Sequence, residues 1–444
     1  MTKDNKVIDK IVSLCKRRGF IYQSSEIYGG INACYDYGPL GVELKRNIKQ
    51  FWWQSMVYEN SDIVGLDAAI LMHPRVWEAS GHVSGFTDPL IDCKQCKERF
   101  REDDIDPEQL KIKQCPRCGT KGSLTEPRQF NLMFKTNMGP VEEKASEIFL
   151  RPETAQGIYV NYKNVLDSSR QKIPFGIAQI GKAFRNEITP GNFIFRTREF
   201  EQMEMQYFIY PEQDEEFFEK WKNNRLEWYK KLGINASKLR FHEHTKDELA
   251  HYAKKAMDIQ YEFPMGFKEL EGIHNRTDFD LSRHQEYSGK DLRYFDDATR
   301  KRFIPYIIET SAGVDRTLLT CLVDAYEEEE LDNETRTVLH LDPKIAPFKA
   351  AVFPLVKKDN MPEIAQKITE DLMKEFLVFY DHTGAIGRRY RRQDEAGTPF
   401  CITVDSQSLV DQTVTIRDRD SMEQDRIKMN GIIAELKTRI KGKK

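Results

Sequence analysis

The sequence lacks an excess of charge of either sign, and it lacks a long apolar run. Its 68 lysines and arginines nearly balance 71 aspartates and glutamates, leaving a formal net charge of -3 at pH 7. Because bulk positive charge usually marks a polyanion-binding chain, any nucleic-acid surface here must be local. No apolar run approaches bilayer-spanning length, and the start Met1–Val12 lacks the apolar core of a signal peptide. We therefore expect a cytoplasmic protein with no membrane partner.

Cysteine is scarce, and half of the eight cysteines lie in one short segment. Cys15, Cys34, Cys321 and Cys401 are scattered, and we expect them to be reduced. The others form two Cys-x-x-Cys pairs separated by eighteen residues, namely Cys93, Cys96, Cys115 and Cys118. Four thiolates at this spacing suit a closed, tetrahedral structural zinc site in a ribbon, and disulfides are disfavoured in a reducing compartment. We expect a zinc-ribbon-like insertion over residues 90–125.

The chain of 444 residues is long enough for two or three domains. After Pro347, short apolar strands alternate with helical stretches, which is typical of a small α/β domain with a largely parallel sheet. We therefore place one domain over 1–342 and a second over 347–444. Within the first, residues 212–302 form a mixed helical and polar insertion whose later part the pattern does not assign.

Hydrophobic spacing predicts several individual elements. A helix is predicted over Pro39–Met56, with proline in its favoured first turn. A strand is predicted over Asp62–Leu71, and further helices over Thr154–Val165 and Glu212–Leu232. The acidic run 327–330 is interpreted as the solvated end of a helix, continuing into a linker.

The segment Phe184–Met205 is dense in arginine and glutamate on either side of a Pro-Gly turn. Because successive strand residues point to opposite faces, counting by twos groups the side chains that share a face. We expect a floor bordered by groups that suit phosphate, a flat base and an amine, although a salt-bridged surface hairpin has the same spacing. One series is Gln179, Gly181, Ala183, Arg185 and Glu187, and the other is Arg196, Arg198, Phe200, Gln202 and Glu204.

Several motifs resemble those of one enzyme family. FRNE at Phe184–Glu187, with Arg196–Phe200 after the turn, resembles motif 2 of class II aminoacyl-tRNA synthetases. SAGVDR at Ser311–Arg316 resembles motif 3, and the segment Pro39–Pro74 resembles motif 1. The stretches YDYGPLGVELK, WEASGHVSGF, LRPETAQGIY and YIIETSAGVDR narrow the resemblance to glycyl-tRNA synthetases of the homodimeric type. It spans nearly the whole chain, with the motifs in the family's order.

The resemblance implies an α+β fold in which helices flank an antiparallel catalytic sheet, followed by an α/β anticodon-binding domain. The implied enzyme joins glycine to ATP, giving glycyl-adenylate and pyrophosphate, and then moves the glycyl group to the 3′ end of tRNA-Gly. ATP would be a substrate, and Mg²⁺ would bridge its phosphates. The helix that begins at Pro39 would build the interface of a homodimer.

The resemblance also implies the nucleotide site. Arg185 would stabilise charge that develops on the α-phosphate, and Arg196 would hold the far phosphates. Adenine would lie between the ring of Phe200 and the guanidinium of Arg316. The implied ATP-binding residues are Arg185, Asn186, Glu187, Phe195, Arg196, Thr197, Arg198, Glu199, Phe200, Glu269, Leu270, Gly313, Val314, Asp315 and Arg316, with Arg185 and Arg316 catalytic.

The implied glycine pocket is acidic, and converging carboxylates suit the three donors of an α-ammonium. In a pocket that accommodates it, an added methyl group changes the binding free energy by only about 1–3 kcal/mol. Rejection of alanine must therefore come from a clash with rigid walls. The implied residues are Arg101, Glu153, Phe200, Glu201, Gln202, Met203, Glu204, Glu309, Thr310, Ser311, Ala312 and Gly313.

The run Gly387–Gly397 carries four arginines and a tyrosine. Such a run suits an RNA-binding surface, although an exposed amphipathic helix has the same composition. The histidines of SGH, HEH and RHQ show no metal-binding spacing, and we expect loop or surface positions for them. They are His82, His242, His244 and His284.

Three other functions compete with this interpretation. A catalytically inactive, nucleic-acid-binding relative would be expected to lose Arg185 and Arg316, which are present here. An adenylating enzyme with another acceptor would have no need of the C-terminal domain. An enzyme for threonine or proline would not match the acidic residues, and the threonine enzyme uses a zinc site with an open position.

Overall fold

The computed structural model describes residues 3–140, 147–189, 191–250, 252–332 and 334–442. Over these residues, no helix combines the length and the apolar character needed to cross a membrane. Each of the two predicted domains contains long helices. Their bounds are Lys3–Arg18, Pro39–Trp53, Ala155–Ser169, Asp214–Lys231, Phe279–Ser288, Val314–Ala325, Met361–Leu372, Ile386–Ala396 and Ile432–Lys441.

A seven-stranded sheet forms the centre of the larger part of the chain. All pairs are antiparallel except the edge pair, in which the strand at Ile63 runs parallel to the one at Gly176. The predicted α+β fold with an antiparallel catalytic sheet is therefore confirmed. From edge to edge the strands are Leu239–Glu243, Lys255–Phe263, Gly266–Thr277, Tyr306–Gly313, Glu199–Ile209, Phe175–Phe184 and Ile63–Gly65.

The two faces of this sheet have different surroundings. Met203 and Met205 point into the main core, against the helices Pro39–Trp53 and Val314–Ala325. Phe208 and Ile307 point the other way, into a smaller core under the helix Ala155–Ser169. The helix Phe279–Ser288 contributes to the same core through Leu281. Glu204 and Ser311, on this face of the sheet, line a groove.

Three predictions for local elements need correction. The single strand predicted over 62–71 is two short strands, Ile63–Gly65 and Leu71–Met72. The unassigned part of 212–302 supplies three strands of the central sheet, over residues 239–277. The acidic run is a strand, Tyr326–Leu331, paired with Glu334–Leu339, and not a helix end. Its charges are tolerated because Glu327, Glu328 and Glu330 are exposed and Glu329 pairs with Arg336 at 2.6 Å.

Two small sheets lie beside the central sheet. One contains the strands Thr87–Asp92, Arg99–Arg101 and Arg128–Asn131 and is hereafter called the insertion sheet. The other joins Leu71–Met72, Lys135–Asn137 and Glu147–Leu150. The remaining pairs and short helices are Ile21–Gln23 with Tyr35–Tyr37, Tyr294–Asp296 with Lys301–Phe303, and the helices Pro74–Ala79, His82–Gly85, Pro107–Lys111 and Ser408–Asp411.

The C-terminal part has its own five-stranded sheet and its own core. Two strand pairs are parallel and two are antiparallel, so the sheet is mixed and not largely parallel as predicted. A buried ion pair attaches it to the larger part, since Asp394 lies 2.9 Å from Arg336, while Arg417 of the C-terminal sheet lies 2.9 Å from the same carboxylate. In spatial order the strands are Val378–Tyr380, Ala350–Pro354, Phe400–Val404, Thr413–Asp418 and Gln424–Lys428.

Candidate functional site

A groove with a volume of about 380 Å³ lies on the open face of the central sheet. Strand alternation brings Phe200, Gln202 and Glu204 of one strand beside Glu309 and Ser311 of the next. Most of the predicted site residues meet here. They are Arg101, Glu153, Arg185, Glu187, Phe195, Arg196, Thr197, Phe200, Gln202, Glu204, Glu269, Glu309, Ser311, Gly313, Asp315 and Arg316.

Other predicted residues do not line this groove. The same alternation turns Glu201 to the opposite face, where it pairs with Lys45 at 2.9 Å and Lys49 at 3.0 Å. Leu270 and Val314 are buried in the main core. The full set outside the lining is Asn186, Arg198, Glu199, Glu201, Met203, Leu270, Thr310, Ala312 and Val314.

Arg198 shows why counting by twos failed at one end of the hairpin. The second strand begins only at Glu199, so Arg196 and Arg198 precede it and do not follow its alternation. The Arg198 guanidinium donates to the carbonyl oxygens of Glu187 at 3.0 Å and Asn32 at 2.9 Å. It ties the hairpin to the N-terminal segment, while Arg196 faces the groove.

One end of the groove is cationic and aromatic. The Arg185 guanidinium lies 5.3 Å from the ring centre of Phe200 and donates to the Pro152 carbonyl at 3.0 Å. Arg316 lies 4.4 Å from the ring centre of Phe195. This end can hold anionic groups beside a flat ring.

Arg316 also interacts with a carboxylate on the neighbouring strand. It donates to the carbonyl oxygen of Glu269 at 2.9 Å and lies 3.2 Å from the carboxylate of the same residue. The positive charge of Arg316 lowers the pKa of Glu269. An ionised carboxylate therefore stands next to the cationic end, where it can accept a metal ion or orient the guanidinium.

The other end of the groove is buried and acidic. The Glu309 carboxylate accepts from Arg276 at 3.0 Å and from Gln206 at 2.7 Å, and it lies 2.8 Å from His274 Nδ1. Burial alone would raise its pKa, but Arg276 and His274 bring it down to about 2. Arg276 is itself held by Asp280 through two bonds of 2.7 and 2.9 Å.

The two remaining acids differ in charge state. Burial would raise the pKa of Glu153, but the nearby His82 and Arg276 hold it well below its usual value. Burial and the charges of Glu309 and Glu153 instead raise the pKa of Glu204 to about 8. Glu204 also accepts a hydrogen bond from the Thr154 hydroxyl. The acidic end thus contains two ionised carboxylates and one that is neutral at pH 7, an arrangement suited to an incoming ammonium group.

The segment that carries Glu153 is held in place by the close packing of Arg151 on Gly181. The buried Arg151 guanidinium donates to the carbonyl oxygens of Lys182 at 2.6 Å and Ala68 at 2.7 Å. It crosses directly over Gly181, where a Cβ atom would lie 2.3 Å from Arg151 Nη2. Only glycine leaves this space, which explains the small residue predicted on the floor.

Seven lining residues were missed by the sequence argument. Gly272 and His274 enter through pairing with Ser311 and Glu309, in a segment that the sequence left unassigned. The histidine prediction is wrong for His284, which is buried and has its Nε2 atom 2.7 Å from Gln156 Oε1. The missed residues are Phe86, Asp88, Leu132, Ile194, Tyr252, Gly272 and His274. The signal in the sequence that could have found Gly272 and His274 was the alternation of side chains between the two faces of the strand 266–277.

The four clustered cysteines converge as predicted, at one end of the insertion sheet. Their sulfur atoms all lie within 4.8 Å of one another. The Cys93–Cys118 and Cys96–Cys115 sulfur separations are 3.8 and 3.7 Å. A tetrahedral zinc with Zn–S bonds of about 2.3 Å requires sulfur separations of about 3.8 Å, so the donor set fits this ion.

The arginine-rich C-terminal helix differs from its prediction. Arg389 is buried and donates to the carbonyl oxygens of Pro354 and Leu355, at 2.6 and 3.1 Å. Arg392 pairs with Asp381. Arg389 and Arg392 thus hold the helix against its own domain, whereas Arg388 is exposed.

Comparison with known proteins gives a consistent result. Residues 105–326 match a family model described as the tRNA synthetase class II core domain (G, H, P, S and T), and residues 349–439 match the anticodon binding domain. A glycine–tRNA ligase of Treponema denticola is 61% identical, over 100% of this chain and 99% of its own. That of Borreliella burgdorferi is 57% identical over 98% and 97%, and that of Thermobifida fusca is 54% identical over 100% of both chains.

We predict that ionisation of Glu204 destabilises the folded protein. Its pKa is raised from 4.5 to about 8, so the stability that its neutral form contributes is complete below pH 4.5 and is lost as the pH rises through 8. Glu204→Gln is neutral at every pH. As the pH rises from about 5 to about 9, the thermal midpoint of Glu204→Gln should therefore fall less than that of the unmodified protein. The exposed Glu243→Gln is the control, and parallel curves for Glu204→Gln and the unmodified protein would refute the assignment.

We also predict about one zinc ion per chain at the cysteine cluster. Cys93→Ser should lose the metal, because one of four thiolate ligands is removed, and protease cleavage within 90–125 should become faster. Metal content is measured by plasma mass spectrometry on protein purified without chelator. Cys34→Ser, outside the cluster, should keep its zinc, and equal metal content in both variants would rule the site out.

Proposed function

Because this chain belongs to the glycine–tRNA ligase family of class II synthetases, we infer that its central groove activates glycine with ATP. The glycyl group is then transferred to the 3′ end of tRNA-Gly. One observation carries this proposal, namely that a buried acidic pocket adjoins a cationic, aromatic one on a single sheet face. An amine and a nucleotide could occupy them side by side.

We assign the cationic end to ATP. Arg185 stabilises the charge that develops on the α-phosphate, and Arg196 holds the outer phosphates. Phe200 and Arg316 supply flat surfaces for the adenine ring. The Glu269 carboxylate would hold a magnesium ion, which would supply positive charge to the phosphates.

We assign the acidic end to glycine. Its ammonium donates to Glu153, Glu204 and Glu309, and Ser311 lies directly opposite Glu204, two residues after Glu309 on the adjoining strand. Glu309 is fixed by Arg276, Gln206 and His274, so it cannot withdraw from a larger side chain. A methyl on the α-carbon would meet this rigid wall, which supports selection of glycine over alanine.

The chemical step then needs no nucleophile from the protein. A carboxylate oxygen of glycine attacks the α-phosphorus of ATP, and the bond to pyrophosphate breaks. The terminal ribose hydroxyl of tRNA next attacks the carbonyl carbon, and AMP leaves. Positioning of the two substrates and stabilisation of phosphate charge supply the catalysis.

The two-domain division assigns the tRNA contacts. We propose residues 1–342 as the catalytic domain, with the insertions 90–125 and 212–302, and residues 347–444 as the domain that binds the anticodon. The match of residues 349–439 to the anticodon binding domain supports the second assignment. A translation enzyme of this kind is expected in the cytoplasm.

We further propose that two copies associate. The apolar face of the helix Pro39–Trp53 is already buried within its own chain, so the predicted interface must use neighbouring residues. The side chains of Ile27 and Tyr28 are 88% and 87% exposed, which supports a partner over this loop. Sedimentation equilibrium should give a mass of about twice the 52.0 kDa of one chain, and a single-chain mass at micromolar concentration would contradict the proposal.

Exchange of pyrophosphate into ATP tests the catalytic assignment. The purified protein should catalyse exchange with glycine and much more slowly with alanine. Arg185→Ala should lower the rate by at least about 10²–10³-fold, because a preorganised charge next to the α-phosphate is lost. The assay uses radiolabelled pyrophosphate, ATP and one amino acid at a time.

Arg302→Ala is the matched control, since Arg302 is exposed and pairs with Asp291 on the surface. It should exchange at the unmodified rate. A folded Arg185→Ala variant with near-normal exchange would contradict the role of Arg185. Equal rates with alanine and glycine would contradict the pocket assignment.

A further inference from the structure

One face of the insertion sheet continues from the cysteine cluster to the catalytic groove. Leu90 lies opposite Arg101 on one side and Arg128 on the other, and Asp92 lies opposite Arg99. Directly opposite residues of antiparallel strands point to the same face. This face therefore carries three arginines, Arg99 and Arg101 on one edge strand and Arg128 on the other.

A second cavity, hereafter called the side groove, lies on this face. It has a volume of about 350 Å³, comparable to that of the catalytic groove. The insertion sheet forms one wall through Leu90, Arg99, Arg128 and Phe130, and the hairpin forms the other through Asn186, Glu187, Ile188 and Arg198. Glu187 lines both cavities, so the side groove adjoins the catalytic groove across one side chain.

The side groove has an ordered pair of guanidinium groups. Asp92 lies 3.2 Å from Arg99 and 3.1 Å from Arg128, with a different carboxylate oxygen facing each. The two arginine side chains are nevertheless 66% and 61% exposed. Their positions are thus restrained on one side, while the exposed part of each guanidinium can bind an anion. Phe130 is half-buried next to them and offers an aromatic surface.

We propose that the side groove binds the single-stranded 3′ end of tRNA and directs it into the catalytic groove. The inference rests on the proposed function, because the terminal ribose must reach the glycyl-adenylate. Arg99 and Arg128 bind phosphates of the tail, and a base stacks on Phe130. Exposed guanidiniums beside a ring form the pattern that recognises unpaired nucleotides.

The first test separates tRNA use from adenylate formation. In the double variant Arg99→Gln/Arg128→Gln, pyrophosphate exchange with glycine should be unchanged. The KM for tRNA-Gly in aminoacylation should rise about tenfold, because two phosphate contacts are lost. The slope of log KM against log salt should decrease by about 1.4, since each contact to a single strand contributes about 0.7. A purely structural role would not change this slope.

The control variant removes two positive charges that lie in the same insertion but outside the side groove. Lys111 and Lys113 pair with the exposed Glu108 and Glu126, and neither lines the cavity. Lys111→Gln/Lys113→Gln should keep the unmodified KM. An unchanged KM in the arginine variant would overturn the proposal. Loss of exchange in that variant would also overturn it, because it would assign these residues to adenylate formation.

A binding measurement is independent of catalysis, and so distinguishes failure of this inference from failure of the proposed function. Fluorescently labelled tRNA-Gly is compared with the same tRNA lacking its unpaired 3′ nucleotides. Removing the tail should weaken binding to the unmodified protein by about tenfold, and binding to Phe130→Ala or to the arginine variant by less than about twofold. Equal losses in all proteins would show that the tail binds elsewhere.

Discussion

The site depends on several carboxylates that are buried close together at one end of the groove. Glu153, Glu204, Glu309 and Asp280 converge there, and the buried Arg276 contacts Glu309 and Asp280 directly. Buried carboxylates that close together cannot all ionise, so one of them, Glu204, remains neutral. The arrangement costs stability in the empty protein. In the proposed function, the ammonium group of glycine supplies positive charge to these carboxylates.

Rigidity of this pocket comes from its supports. Arg151 clamps the segment that carries Glu153 onto the floor at Gly181, and Thr154 donates to Glu204. Discrimination by a clash works only if the wall cannot move, since a yielding wall would simply accommodate an extra methyl. In the proposed function, the hydrogen bonds around the carboxylates therefore support specificity together with the carboxylates themselves.

The side chains that share one face of the sheet could be predicted from the sequence wherever the strand is regular. Alternation correctly grouped Phe200, Gln202 and Glu204, and the family resemblance located Glu309 on the partner strand. The same counting failed for Arg198, because a short 3₁₀ turn at Phe193–Phe195 breaks the period before the strand begins. The inward position of Arg389 in the run 387–397 could not be predicted, because composition cannot show whether a guanidinium faces solvent or a buried carbonyl.

The sequence by itself determined the residue types, their order and the local period. Those were sufficient to predict the cysteine cluster, the hairpin floor and the membership of a class II family. Only the tertiary structure decided which strands became neighbours, and so brought His274 to Glu309 and the insertion sheet to the hairpin. The physical reason is that strand pairing between distant segments depends on the packing of both faces of the whole sheet, whereas alternation and metal-ligand spacing are properties of a few consecutive residues.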